Sequence, residues 1–298
     1  MKYGRRRFLL GALVPALALH VVFVLSPYAQ SFYLSLTDWN GVAGDAHYVG
    51  AGNYARLGGD SLFLDAVRNN AVMLAVVPLV TIAIGLFLAG MLHRGGRGLA
   101  GGRAYQIVYF FPQLLSLVVI GVLWGFVYSP NTGLINSGLR AVGLGSFARS
   151  WLAEPSLALI AVMAVLIWSS VGFYVVLFSA AIEAIPRDLF EAATLDGAGG
   201  WTTFRRVTLP LVRESVQVAF VYLGIAALDG FAVVQVMTVG PGGPDGATEV
   251  IGLSLYRTAF GYAKFGYASA MGVALFFATL TLAVLALRAG RKERVELA

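Results

Sequence analysis

Residues 69–93, NNAVMLAVVPLVTIAIGLFLAGMLH, contain no Asp, Glu, Lys or Arg. A helix needs roughly 20 predominantly apolar residues to cross the hydrocarbon core of a bilayer, and this stretch is longer than that. Lipid offers no hydrogen-bond partner to backbone N–H and C=O groups, so a segment that enters it is expected to be helical. Residues 69–93 therefore predict a membrane-spanning helix.

Similar stretches lie on both sides of this one. Residues 8–37, 104–139, 155–182 and 265–287 also lack these four residue types, and residues 215–244 contain only Asp229 among them. The expected fold is an all-α integral membrane protein with six transmembrane helices. They are predicted at about 8–30, 70–92, 105–128, 157–181, 215–238 and 266–288.

The first of these stretches has an alternative interpretation, because basic residues followed by an apolar run also describe a cleaved signal peptide. We favour a retained helix, since the apolar run exceeds the usual length of a signal-peptide core. Its removal would also leave five spans.

Composition agrees with a membrane protein. The chain has 298 residues, of which 58% are hydrophobic and 12% charged. Soluble domains carry roughly twice that charged fraction. The chain contains no Cys, which excludes disulfides and thiolate chemistry. Its three His residues are far apart in the sequence, so we expect no metal site and no catalytic residue.

The basic residues predict the orientation. Six spans place both termini on one side of the membrane, and Lys and Arg concentrate in cytoplasmic segments. With cytoplasmic termini, 15 of the 21 Lys and Arg residues lie inside. The six on the outside are Arg56, Arg68, Arg140, Arg149, Arg257 and Lys264. The net charge of +6 is therefore interpreted as topology rather than as nucleic-acid binding.

No linker divides the chain into separate domains. Residues 1–68 are expected to hold the first helix and first outside loop, and residues 69–288 the main membrane domain. Residues 289–298 would form a cytoplasmic tail. Within the main domain, the inside loop 182–214 carries nine charged residues, more than any other predicted loop.

This loop is predicted to contain a short amphipathic helix. Pro186 suits the first helical position, where its missing N–H is not needed. Gly197 is placed to end the helix as a left-handed glycine. A second helical stretch is expected at about 201–209, before Leu209-Pro210. Local physics leaves two roles open, a solvated connector and a surface that docks a partner.

The motifs of this loop resemble the EAA loop of ABC importer permeases. Glu191-Ala192-Ala193, then Gly197, then Val207-Thr208-Leu209-Pro210 follow that motif in spacing, with Val207 where the family has Ile. Other segments are similar to the MalF/UgpA-type sugar permeases. They are Asn53-Tyr54, Phe111-Pro112-Gln113, Gly133-Leu134-Ile135-Asn136, Trp168, Ile185-Pro186, Asp196-Gly197-Ala198, Met237-Thr238 and Gly266-Tyr267-Ala268-Ser269-Ala270. The run Thr238-Val239-Gly240-Pro241 departs from the family's T-G-G-G-P.

The resemblance implies how the protein would work. The helix from Glu191 to Gly197 would couple to a separate ATPase subunit, with Ala192 and Ala193 allowing close approach. Asp196, Leu209 and Pro210 complete the docking loop. The chain has no phosphate-binding G-x-x-x-x-G-K-[ST] motif, so ATP and Mg would be bound by that partner and no cofactor by this chain.

The other implied partners are a second homologous permease, a second ATPase subunit and an extracytoplasmic sugar-binding protein. The implied location is the prokaryotic plasma membrane. The implied substrate is a mono-, di- or oligosaccharide.

Four residues are candidates for the translocation path. Asp229 is an ionisable side chain within a predicted span, where such residues are costly unless they face protein or water. Trp168, Phe173 and Tyr174 could stack on sugar rings. Each has a structural alternative, a helix or subunit contact for Asp229 and ordinary packing for the aromatic residues.

Alternative functions remain at this point. A permease of the same type could carry glycerol-3-phosphate or a polyol. From other classes, a proton-coupled secondary transporter or a membrane-embedded enzyme would need intramembrane acids, His or a polar cluster. Asp229 and His20 are thin support for those.

Overall fold

A computed structural model describes residues 2–42, 44, 46–93, 101–238 and 242–290. The predicted inside residues Arg94 and Arg97, the loop residues 239–241 and the tail from residue 291 lie outside the described residues.

The described residues are almost entirely helical, with one isolated β-bridge between Thr37 and Tyr48. The helices are α1 Lys2–His20, α2 Ser26–Leu34, α3 Gly52–Leu57, α4 Ser61–Leu92, α5 Gly102–Phe110, α6 Leu117–Val127, α7 Leu134–Ala141, α8 Pro155–Glu183, α9 Arg187–Leu195, α10 Gly200–Thr203, α11 Leu209–Leu211, α12 Arg213–Leu228, α13 Phe231–Met237, α14 Ile251–Tyr256 and α15 Phe265–Gly290. Three π-helical turns also occur, at Val21–Leu25, Phe204–Thr208 and Arg257–Gly261.

Four helical segments of the described chain are long and apolar enough to cross a membrane without a break. They are Gly11–Leu34, Ser61–Leu92, Pro155–Glu183 and Phe265–Arg288. They correspond to the first, second, fourth and sixth predicted spans. Counting two bent helix pairs as one span each raises the number to six.

The third predicted span, expected as one helix over about 105–128, is two helices with a sharp bend between them. Residues Ala104–Leu114 and Leu117–Val127 meet at 96°. Pro112 has no N–H to continue the hydrogen bonding of α5, and the chain passes through a 3₁₀ turn, Phe111–Leu114. Leu115 and Ser116 are then extended before α6 starts.

The fifth predicted span is also interrupted. It was expected as one helix over 215–238. The structure has α12 and α13 separated by Asp229 and Gly230, whose ψ angles are 18° and 10°. The predicted single helix is therefore two helices.

The chain divides into two compact units. The first comprises Met1–Leu64 and Ser254–Phe277. Within it, Asn53 donates from Nδ2 to the carbonyl oxygens of Ser35 (2.9 Å) and Thr37 (2.8 Å). The Tyr267 hydroxyl donates to Asp60 Oδ2 at 2.8 Å. Helical residues Gly11–Leu34 bury none of their most apolar window inside the chain, as expected of a helix surrounded by lipid or by other subunits.

The second unit comprises Asp65–Leu253 and Ala278–Ala298. Its core runs along α8, because Val162 and Val165 are fully buried. Met73, Val233 and Val234 pack in the same cluster. A second apolar cluster, further along α8 and α4, includes Ile82, Leu86, Phe178, Ile182, Val212 and Leu223. These clusters hold in place the helices that adjoin the α9 loop and the break between α12 and α13.

Candidate functional site

The inside loop forms the helix that its sequence predicted, one residue later than expected. Pro186 has ψ of 133° and is the N-cap residue, so α9 begins at Arg187 and not at Pro186. The residue before the first helical position is free to be extended, and Pro186 fixes only its own φ. Asp188 lies in the first turn, where its carboxylate favours the positive end of the helix dipole.

The end of α9 is held by its own backbone. Gly197 has φ of +73°, as predicted for a glycine that ends a helix. Its N–H donates to the Thr194 carbonyl at 3.0 Å, and the Ala198 N–H donates to the Ala193 carbonyl at 2.9 Å. This pair of bonds is a Schellman motif, which satisfies carbonyls that a helix end would otherwise leave open.

The two faces of α9 differ sharply. Phe190 and Ala193 are buried in the chain's own fold, whereas Glu191 and Ala192 are exposed. Leu195, at the tip of the helix, is 89% exposed. Leu195 follows Glu191 by four residues and Ala192 by three, so these three exposed side chains share one face of α9.

The second half of the loop is a helical segment that meets α12 at a bend. Helix α10 continues through the π-helical turn Phe204–Thr208 into α11, and Pro210 lies in the first turn of α11. The arm, Gly200–Leu211, meets Arg213–Leu228 at 69°. The predicted helical stretch before Pro210 is confirmed, and the bend lies at Val212, which is buried.

The other candidate region is the break between α12 and α13. Asp229 is exposed at the surface of the chain, and no ion pair or side-chain hydrogen bond involves it within the described residues. Tyr222 is 68% exposed, and Val218 and Ile225 are also exposed. These residues recur at spacings of three and four, so they lie on one face of α12.

This face is unsuited to lipid, because a carboxylate in the hydrocarbon core is costly unless it meets protein or water. Asp229 and the Tyr222 hydroxyl are its polar groups. The face is therefore a candidate for a subunit contact or for the translocation path.

A comparison with known protein families is decisive for the class of protein. Residues 65–292 match the family described as "Binding-protein-dependent transport system inner membrane component".

The chain belongs to this family.

Individual relatives of this ABC transporter permease cover nearly its whole length. It is 44% identical over 292 residues to the "Diacetylchitobiose uptake system permease protein NgcF" of Streptomyces coelicolor, covering 96% of this chain and 82% of that protein. It is 35% identical to the "Probable ABC transporter permease protein YurN" of Bacillus subtilis, covering 93% of each. Membership decides against the secondary transporter and the membrane-embedded enzyme.

A solved structure supports the fold. The permease is similar to a chain in the crystal structure of a bacterial alginate ABC transporter in complex with alginate pentasaccharide-bound periplasmic protein, with a TM-score of 0.83. The match covers 98% of this chain and 96% of that chain at 23% identity. The predicted all-α membrane fold is thereby confirmed.

The permease places its predicted docking residues on different surfaces. Glu191, Ala192, Asp196, Gly197, Leu209 and Pro210 are exposed. Ala193 is buried on the same side of α9 as Phe190, three residues before it, so of the two alanines only Ala192 is open to a partner.

The predicted path residues are also divided. Trp168 is exposed and meets the Trp124 ring at 5.2 Å between centroids, and Phe173 is exposed beside Phe110. Tyr174 is 7% exposed and packs on Phe178, so the structure assigns it to the core rather than to a path. No contact joins Asp229 to any of the three predicted aromatic residues within the described part of the chain.

Sequence reasoning missed Asn70, which braces the broken helix. Its Nδ2 donates to the carbonyl oxygens of Ala227 (3.2 Å) and Leu228 (3.1 Å), and its Oδ1 accepts the Ile251 N–H at 2.8 Å. It is 1% exposed. The only signal in the sequence was an amide at the start of a predicted span, where a polar group needs partners.

Sequence reasoning also missed the pair of His93 and Glu183. His93 Nε2 lies 2.9 Å from Glu183 Oε1, and Nδ1 lies 3.0 Å from the Ala89 carbonyl oxygen. The His93 ring is buried, whereas the Glu183 carboxylate is largely exposed. The pair ties the end of α4 to the end of α8, directly before the α9 loop.

Proposed function

We propose that this permease is one of two homologous membrane subunits of an ATP-driven importer of sugars. The observation that carries the proposal is the outward face of α9, which is rigidly ended at Gly197 and presents Leu195 to a partner. The sugar substrate is supported by the similarity to the permease protein of a diacetylchitobiose uptake system.

The outward face of α9 docks an ATPase subunit on the cytoplasmic side. ATP and Mg are bound by that subunit, and this chain contributes no cofactor. A helix transmits force best when its ends are fixed. Here one end is fixed by Pro186 and the other by the Schellman bonds to Ala193 and Thr194. Movement of the ATPase then reaches α8 and α12 through the buried residues Phe190 and Val212.

The exposed face of α12 meets the second permease and borders the sugar path. Tyr222 supplies an aromatic ring and Asp229 a carboxylate, which suit the apolar faces and hydroxyl groups of a sugar. Trp168 and Phe173 are exposed aromatic residues that serve the same path or the subunit interface. An extracytoplasmic binding protein delivers the sugar at the opposite side from α9.

The absence of Cys from the chain allows a clean test of orientation. Single variants Leu195→Cys and Leu144→Cys place a thiol at two exposed positions, one at the tip of α9 and the other in the loop before α8. In whole cells, a membrane-impermeant maleimide should label position 144 and leave position 195 unlabelled until the membrane is opened. Labelling of position 195 in intact cells would overturn the orientation.

Transport itself is tested in a strain that lacks this chain. Uptake of labelled diacetylchitobiose, lactose and a glycerol-3-phosphate probe should show which substrate class depends on the permease. Purified chain in vesicles, without an ATPase, should not concentrate any of the three. Concentrative uptake by the chain alone would refute the proposal.

A further inference from the structure

A cavity of the permease lies beside the α9 loop, on the surface of the second unit. It has a volume of about 870 Å³, within the range of small-molecule sites. Its walls come from the last turns of α4 and from the arm Gly200–Leu211. The lining side chains that matter here are Ala83, Phe87, Met91, Trp201, Phe204 and Leu209.

One wall of this cleft lies within the membrane. Ala83, Phe87 and Met91 are exposed on α4 at spacings of four, so they form one stripe of the helix. Residues 69–93 have no charged side chain, and the stripe falls in the half of that run nearest its end. A rise of about 1.5 Å per residue puts Ala83 roughly 14 Å before Leu92. The occupant must therefore be able to enter hydrocarbon.

The arm beside the cleft is basic and aromatic. Arg205 and Arg206 lie in the π-helical turn between Phe204 and Thr208, two residues that line the cleft, and both arginines are exposed. Neither forms an ion pair within the described residues. Trp201 stacks on Phe204 at 5.7 Å, as an amphipathic ring at a membrane–water boundary would.

The polar ring that lines the cleft, that of His93, already has hydrogen-bond partners. His93 uses both ring nitrogens, one towards the Ala89 carbonyl and the other towards Glu183. The interior therefore offers apolar surface, and the free charge lies on the arm beside it. An apolar interior with cationic groups at its rim suits an anionic amphiphile.

We propose that this cleft binds an anionic phospholipid, with an acyl chain against Phe87, Met91 and Phe204 and the headgroup phosphate on Arg205 and Arg206. Guanidinium groups bind phosphate through paired hydrogen bonds. The bound lipid wedges the arm against α4 and so steadies the base of the docking loop. The leaflet is the cytoplasmic one, which rests on the proposed orientation.

A soluble protein surface is a poorer fit for this site. The ATPase can reach the exposed face of α9, but the stripe on α4 lies below the membrane surface. A lipid reaches both walls with one molecule. Inorganic phosphate matches the arginines alone and has no group for the apolar wall.

The test measures lipids retained by the purified chain. The chain is reconstituted in vesicles of equal phosphatidylglycerol and phosphatidylcholine and re-extracted, and its bound lipids are counted by mass spectrometry. We expect enrichment of phosphatidylglycerol that falls roughly five-fold for each arginine changed to Gln at 205 and 206. Arg205→Lys with Arg206→Lys keeps the charge and should keep most of the enrichment. Added inorganic phosphate should not displace the lipid.

Matched variants separate this site from general effects. Ala83→Trp fills the cleft and should abolish the enrichment, whereas Ala75→Trp, at an exposed position of α4 outside the cleft, should leave it intact. Arg68→Gln removes an exposed charge at the other end of α4 and should also be silent.

Two results overturn the proposal, provided that the variants elute and unfold like the parent chain. One is an unchanged enrichment in the double Gln variant. The other is an unchanged enrichment in Ala83→Trp. The readout requires neither ATPase nor sugar, so it is independent of whether the transport proposal holds.

Discussion

The backbone carbonyl groups at two helix ends of this permease find their hydrogen-bond partners in opposite ways. The end of α9 is closed by bonds between residues at most five apart, around the left-handed Gly197. The end of α12 is closed by Asn70, which is more than 150 residues away in the sequence. The first end can be presented to a partner because it needs nothing from the rest of the fold. The second depends on a buried contact between helices.

The largest loss of stability is expected when the long-range closure by Asn70 is removed. Asn70→Ala leaves two carbonyls and the Ile251 N–H without their side-chain partner. Each unsatisfied buried group costs about 1–3 kcal/mol, so we expect a loss of at least about 3 kcal/mol in the free energy of unfolding. Thermal unfolding of the purified chain in detergent measures this. The exposed Asn131→Ala is the control, and equal midpoints for the two variants would contradict the role of Asn70.

Disrupting the local closure at Gly197 should cause a smaller loss of stability and a clear loss of function. Gly197→Val forces a β-branched residue into φ of +73°, at a cost of about 1–2 kcal/mol or more. We expect normal membrane insertion and a several-fold fall in sugar-stimulated ATP hydrolysis by the assembled complex.

Gly199→Val is the matched control for that experiment. Gly199 has φ of −69°, and an added Cβ would meet open space, so the variant should behave like the parent. Gly197→Asn should recover much of the activity, since Asn tolerates the left-handed region. Full hydrolysis in Gly197→Val would remove the coupling role from α9.

A change at the tip of α9 should leave stability unaffected and weaken assembly. Leu195 is almost wholly exposed, so Leu195→Ala removes no packing within the chain. If its side chain is buried against an ATPase, the loss is about 1.5 kcal/mol or more, a tenfold or larger rise in the Kd. Titration of the ATPase into reconstituted permease measures it, with Leu144→Ala as the control. An unchanged Kd would show that the partner does not cover Leu195.

The smallest effect on stability is expected at the exposed side of the α12 break. Asp229→Asn preserves shape and removes a charge that pairs with nothing in the described residues, so the unfolding free energy should change by less than about 0.5 kcal/mol. Uptake per assembled complex should nevertheless change in rate or in sugar preference. Lower stability of the isolated chain would instead identify a structural role. Normal stability, yield and uptake would refute both roles.

The comparison of the two helix ends also explains what the sequence could predict. Gly197 was predictable because its conformation depends on neighbours that the sequence shows directly. Asn70 was not, because its partners are set by the packing of α4 against α12. The 96° bend of the third span was missed for a related reason, since Pro112 signals a break but not its angle.

Side-chain direction was predictable only in part. The spacing of Glu191, Ala192 and Ala193 predicted the docking helix but not that Ala193 faces inward, which follows from its position three residues after the buried Phe190. Trp168 and Tyr174 were indistinguishable as aromatic residues of one span. Their difference in exposure follows from the position of α4, which covers Tyr174 through Leu86 and Ile82.

The π-helical turn Phe204–Thr208 lets this arm absorb a change in length. A π turn contains one residue more than the α-helical turn that it replaces, and here it directly precedes Pro210. Because the extra residue is taken up within the turn, deleting it would restore an α-helical turn and keep the faces on either side nearly in register. A deletion inside α9 would instead rotate every later side chain by about 100°. Over generations, a one-residue deletion should therefore be tolerated better in this arm than in α9.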